Sequence, residues 1–231
     1  MLDKYFDRIS CVSIPSREKL FNNLQVNIQK LGGNIEEFLI GRDYIDIPAP
    51  SNWTGRNAQS YNYLQCFTKI IQKAKEDNIK NLLYMEDDAC ILPHFSSFLP
   101  VIMDNAPKDW YMINFGPHHH DFQGRLTTKY DFIAPFLFRC QLHLGLQAVA
   151  INNKMFDYLI ELHAKPWIHE HPYIDVTIAH EFHKGQSIHG KLPCYGVFPY
   201  LVCERSGMSF NVGKELTIAP FELWKRSHES I

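Results

Sequence analysis

Residues 81–91 read NLLYMEDDACI, an apolar run that ends on three adjacent carboxylates, Glu86, Asp87 and Asp88. The segment KNLLYM (80–85) has the length and composition of a buried strand, which puts the carboxylates at its C-terminal end. Like charges this close repel, and burying an unpaired carboxylate is expensive, so a bound cation is the natural compensation. An acidic turn pointing at solvent is the bland alternative. The triplet alone leaves the two at about even odds.

Outward from this stretch, short β-rich runs alternate with helical periodicity. RISCVSI (8–14) reads as a buried strand. Ser16 is a candidate cap for a helix with apolar positions Leu20, Leu24, Ile28 and Leu31, stopped by Gly32-Gly33. EEFLI (36–40) is a second strand, and a Pro-containing loop spans 41–56. A helix from about Asn57 to Asp77 sets Tyr61, Leu64, Phe67, Ile71 and Ala74 on one face. Further on come a short helix in PHFSSFLPVIMDNAP, strand DWYMINFG (109–116) and strand LQAVAI (146–151). A helix at 154–164, another near 175–184 and strand GVFPYLV (196–202) follow. Such alternation predicts an α/β fold with a mostly parallel central sheet flanked by helices. Ligands of these sheets bind beyond the carboxyl ends of the strands, where the three carboxylates lie.

The chain has 231 residues, which suits one large domain, and 45% of them are hydrophobic, enough for a substantial core. A net charge of -2 gives no reason to expect a nucleic-acid or anionic-membrane partner. The six cysteines form no CxxC pair, which argues against structural zinc and suits buried thiols in a reducing compartment. The N-terminus lacks the pattern of a signal peptide, and no apolar stretch approaches the roughly 20 residues of a membrane helix. NWT (52–54) matches a glycosylation acceptor, incidental in a chain that is not secreted. The expectation is a soluble, cytoplasmic protein with no integral membrane segment; the oligomeric state is not readable.

A strand-end E-D-D can hold Mg²⁺ or Mn²⁺ through carboxylate oxygens while leaving positions for phosphate or water. On an extended backbone residues i and i+2 point the same way, so Glu86 and Asp88 would share one face and Asp87 would point elsewhere. A second element is HPYIDVTIAHEFHKG, in which Pro172 precedes a helical pattern and places Asp175 near its N-terminus. The helix dipole favours an ionised carboxylate there, fit for a general base; an ordinary cap is the competing reading.

At this point the chain resembles a known class. YMEDDACIL resembles the LEDD metal site of nucleotide-sugar glycosyltransferases with the GT-A fold. CVSIPSREKLFNNLQVNIQKLG is similar to the opening strand and helix of glycosyltransferase family 25. DWYMINFG, LGLQAVAINNKMFDYLIEL, HPYID and FPYLVCERSGMSF resemble later segments of that family, in the right order from about Arg8 to Phe210. Glycosyltransferases of large DNA viruses and of bacterial lipopolysaccharide synthesis share these features. The family's G-x-x-G-C-x-x-S-H segment is reduced here to GRNAQSYNY, which keeps only Gly55, so the resemblance is carried to the broader GT-A class.

The resemblance implies a single GT-A (Rossmann-like) domain over 1–231, with a nucleotide-sugar half (1–115) and an acceptor half (116–231). It implies sugar transfer from a nucleotide diphosphate sugar, a UDP-sugar by analogy, to a hydroxyl of a glycan or glycoconjugate. Asp88, helped by Glu86, would hold Mn²⁺ or Mg²⁺ on the diphosphate. Asp175 would deprotonate the acceptor, giving inversion. Ser13, Ile14 and Arg17 would lie at the base and ribose, although Arg17 reads equally well as a solvated first-turn residue. Arg56 and Asn57 would face the phosphates or sugar, with capping an equal role for Asn57. Asp87 is placed with Glu86 among the donor contacts. His189 or one of His118–His120 is a candidate third ligand, and the loop from Phe115 to Phe138 a candidate lid. A metal-dependent nucleotidyltransferase and a non-catalytic sugar- or nucleotide-binding module are the competing readings. The first lacks a Gly-rich phosphate loop with a following lysine.

Overall fold

The computed structural model describes residues 1–39, 49, 51, 58–116, 132–139, 145–164, 192–204, 207–209 and 214–216. Asp175, Arg56, Asn57, His118–His120, His189 and the helix expected near 175–184 lie outside the described residues.

The first half of the chain alternates as expected. Strand β1 (Arg8–Ser13) leads into helix α1 (Glu18–Lys30) and strand β2 (Ile35–Leu39). Helix α2 (Ala58–Glu76), strand β3 (Asn81–Glu86) and the short strand β4 (Ala89–Ile91) follow. Helix α3 (Phe95–Asn105) then precedes strand β5 (Met112–Asn114). Strands β6 (Phe132–Ala134), β7 (Leu137–Arg139) and β8 (Ala148–Asn152) come next. Helix α4 (Phe156–Ala164) and strands β9 (Cys194–Val197), β10 (Val202–Glu204), β11 (Gly207–Ser209) and β12 (Lys214–Leu216) complete the described elements.

Three local expectations are corrected. Ser16 does not cap α1; it sits in a 3-10 turn, Pro15–Arg17, and the helix begins after Arg17. The run at 196–202 is two strands, because Pro199 has no N–H to give to a ladder. The far end of the expected 115–138 loop carries β6 and the start of β7, and Phe138 is fully buried.

Eight strands form one sheet in the order β2-β1-β3-β8-β5-β9-β7-β6. β1 pairs in parallel with both β2 and β3, and β5 with β9. β8 runs antiparallel between β3 and β5, and β7 antiparallel between β9 and β6. Six of the eight strands therefore share one direction, giving a mixed but mostly parallel sheet.

Strand alternation sends side chains to two cores. Leu82, Tyr84, Val149, Ile151 and Met112 face helices α2 and α4, where Phe67, Ile71, Leu159 and Leu162 pack on them. Leu83, Met85, Ala148, Ala150 and Ile113 face α1 and α3, meeting Leu24, Ile28, Leu99 and Ile102. Each large apolar side chain so buried contributes about 1.5–3 kcal/mol. Of the stripe expected on α2, Leu64, Phe67, Ile71 and Ala74 are buried and Tyr61 is half-buried; α1 buries Leu24 and Ile28 as expected, with Phe21 in place of the half-buried Leu20 and Leu31.

The connectivity fixes where a ligand can sit. From β1 the chain passes through α1 to β2 on one side, then through α2 to β3 on the other. The two crossing helices cover opposite faces. A topological switch point therefore lies between β1 and β3, and a crevice opens beyond their carboxyl ends.

Candidate functional site

β1 ends at Ser13 and β3 ends at Glu86, one register step apart, since Val12 pairs with Glu86. Beyond Ser13 the 3-10 turn bends the chain into α1 and sets Arg17 at the helix start. The Arg17 N–H closes this turn by donating to the Ile14 carbonyl at 2.9 Å. The Ile14 side chain is buried in the core on the α2 face, so only its backbone belongs to the crevice rim.

Arg17 Nη1 donates to Asp87 Oδ1 at 3.0 Å and to Asp88 Oδ2 at 2.9 Å. Ser13 Oγ donates to the other oxygen of Asp87 at 3.2 Å. Asp87 and Asp88 are buried, at 5% and 9% exposure, so this is no solvated turn. Among the described residues, the Arg17 guanidinium is a cation that pairs with both carboxylates.

Burial, then the neighbouring Asp88 charge, push the Asp87 carboxyl up to about 6, against the pull of Arg17 and Ser13. Burial also works against the Arg17 charge, yet the two carboxylates more than offset it and hold its pKa above the ordinary value.

Glu86 faces the other way. β3 ends on it and the backbone turns, so strand alternation stops applying at Asp87 and Asp88. The Tyr63 phenol on α2 donates to Glu86 Oε1 and lies 2.6 Å from the Tyr84 hydroxyl. Burial, followed by the Glu86 charge, raises both phenols well above their ordinary pKa, so both are neutral donors near pH 7. Of the carboxylates expected to act together, Asp87 and Asp88 share one partner while Glu86 is held from α2.

Carboxylate oxygens of this kind are hard donors, the type that divalent cations take. Among the described residues no group of three or more His, Cys, Asp and Glu side chains forms a cage of its own. Two further polar features went unforeseen in the sequence, Tyr63 with Tyr84 beneath Glu86, and Asn114 at the end of β5. Asn114 donates to the Gly145 carbonyl at 2.7 Å and accepts from the Gly116 N–H at 3.0 Å, tying the start of β8 to the crevice. Helical periodicity flagged α2 as apolar, which hid its phenol. No described helix is long and apolar enough to cross a membrane.

No family model matches the sequence, and no curated protein matches it. Among solved structures, the chain is similar to a glycosyltransferase involved in the glycosylation of the major capsid of PBCV-1. The identity is 13%, the match covers 74% of each chain, and the TM-score is 0.44.

Proposed function

We propose that this protein is a nucleotide-sugar glycosyltransferase that moves a sugar from a nucleotide diphosphate donor to a hydroxyl of a glycan or glycoconjugate. One observation carries the reading: Ser13, Arg17, Asp87 and Asp88 converge at the carboxyl ends of β1 and β3, at the switch point of the sheet. Nucleotides occupy this position in open α/β sheets. A donor diphosphate needs positive charge, and the cluster offers a guanidinium together with carboxylates able to hold a cation.

Within this reading Asp88 holds Mn²⁺ or Mg²⁺. The shared guanidinium favours Asp87 over Glu86 as its companion, because Glu86 is engaged by Tyr63. When bound, such an ion neutralises charge developing on the leaving nucleotide diphosphate. In this reading Arg17 contacts donor phosphate oxygens, and Ser13 with the Ile14 backbone lines the nucleotide side. Burial of the cluster excludes water, which strengthens each of these interactions. Asp175, with Arg56 and Asn57, is assigned by resemblance: the aspartate as base for the acceptor hydroxyl, the other two at the donor. Attack opposite the leaving group inverts the anomeric carbon. UDP is the expected donor nucleotide.

The test is a thermal-shift panel of UDP, GDP, CMP and their sugar conjugates, with and without Mn²⁺, on the wild type and Asp88→Asn. Native-state binding raises the melting temperature by mass action. Metal-dependent stabilisation by one nucleotide diphosphate, lost in Asp88→Asn, supports the assignment. No shift with any nucleotide sinks it. Turnover separates an enzyme from a binding module, pyrophosphate release would mark a nucleotidyltransferase, and NMR of the product anomer decides inversion.

A further inference from the structure

Gln147 stands directly across the sheet from Glu86. Its carbonyl accepts the Glu86 N–H at 3.1 Å, extending the register that pairs Met85 with Ala148. The residue is only 4% exposed, and its side-chain Oε1 is buried with no hydrogen-bond partner among the described residues. Buried side-chain acceptors are normally satisfied, and one that is not carries a desolvation cost.

Described donors near this end of the sheet have acceptors of their own. The Tyr63 proton goes to Glu86, which leaves the Tyr84 hydroxyl to donate to Tyr63. The Asn114 amide donates to the Gly145 carbonyl. A buried amide oxygen without a partner among the described residues, on the residue paired across the sheet with a carboxylate, is a site that fits a donor from a ligand.

We infer that Gln147 is a ligand-binding residue whose Oε1 accepts a hydrogen bond from a ring hydroxyl of the transferred sugar, beside Glu86. The inference rests on the transferase reading and adds to it the residue that holds the sugar. The chemistry selects the ligand part. Two adjacent acceptors, one of them charged, repel a phosphate and suit vicinal hydroxyls. The positive group for phosphates, Arg17, belongs to the cluster that Asp87 and Asp88 make with the start of α1. Glu86 is partly exposed, so a sugar enters past its carboxylate and meets Gln147 at the closed end. An acceptor already stripped of water discriminates strongly between a ligand that offers a hydroxyl and one that does not.

The experiment compares wild type, Gln147→Leu and Gln147→Met by thermal unfolding without ligand and by calorimetric titration. The titrants are UDP, UDP-glucose, UDP-galactose, UDP-N-acetylglucosamine, GDP and GDP-mannose. Because an unpaired buried acceptor is removed, the ligand-free melting temperature is expected to hold or rise by about 2–4 °C. Affinity for the bare nucleotide is expected to stay within about twofold, while the sugar conjugate weakens by about fivefold to twentyfold. Equal weakening of nucleotide and conjugate, or no weakening of either, overturns the assignment and leaves the transferase reading standing. A fall in melting temperature without a ligand effect shows a structural amide and also overturns it. A wild type that binds no nucleotide and no conjugate overturns both.

Discussion

The guanidinium of Arg17 lies 3.0 Å from Asp87, 70 residues further along the chain, and holds Asp88 through the same nitrogen. It thereby pins the start of α1 to the end of β3. Removing the guanidinium takes a charged partner from two buried carboxylates, a defect that costs about 3–5 kcal/mol when one partner of a buried pair is deleted. Arg17→Met should lower the melting temperature on the order of 10 °C. Asp87→Asn in the same background should restore part of the loss, since one of the repelling charges is then gone. A double-mutant cycle by denaturant unfolding measures the coupling, and additive effects would show that the pairing contributes nothing.

Tyr63 is the second support of the crevice. Tyr63→Phe deletes the hydroxyl that bridges Tyr84 and Glu86 and strands a buried phenol proton. The expected cost is about 1–3 kcal/mol, read as a lower midpoint in urea with an unchanged slope. Tyr84→Phe alone removes only the outer member of the chain and should cost less. A larger effect at Tyr84 would contradict the ordering in which Tyr63 donates to Glu86.

The fold was largely legible because its signals are local. The strand runs, the helical stripe of α2 and the position of the carboxylates at a strand end all follow from periodicity within a short window. What decides the site is not local. Nothing in NLLYMEDDACI announces that Arg17 pairs with both aspartates, because that contact is made by parallel pairing of β1 and β3. The i, i+2 rule put Glu86 with Asp88, but it holds only on an extended chain, and β3 ends at Glu86. Tyr63 is not on the stripe that periodicity picks out on α2, and the polar contacts of Tyr63 and His163 emerge only when α2 meets β3 and α4.

His163 makes the folded state sensitive to acid. It sits on α4 against α2, its ring edge-on to Phe67 and its Nδ1 3.3 Å from Thr68 Oγ1. Nε2 is buried without a partner among the described residues. Burial depresses its pKa from 6.5 to about 3, so the native state keeps it neutral while the unfolded chain takes up a proton below pH 6.5. Between those values the unfolded state binds more protons, so the contribution of His163 to stability falls as the pH falls, by up to about 1.4 kcal/mol per pH unit. Melting temperatures at pH 7.5 and 5.0 should diverge for the wild type and converge in His163→Phe. An equal pH dependence in both proteins would show that this histidine does not drive acid sensitivity.

Gly116 closes the carboxyl end of β5, where its N–H is held by Asn114 and the Leu201 and Val202 amides both donate to the Phe115 carbonyl. A Cβ built at Gly116 would stand 2.3 Å from the Val202 carbonyl oxygen. That obstacle is backbone, so no rotamer change relieves it, and the two segments would have to separate. Gly196 offers the contrast: its Cβ would meet the Phe138 ring at 2.5 Å, a side chain that can shift within its packing. Gly116→Ala is therefore expected to cost about 2–4 kcal/mol, more than Gly196→Ala, by the ordinary penalty of overpacking. Because the strain falls beside Asn114 and the Gly145 carbonyl, nucleotide-sugar affinity measured below the melting temperature should weaken in Gly116→Ala as well. Comparable stability of the two variants would mean that β5 and the Leu201–Val202 segment yield more easily than their hydrogen bonds imply.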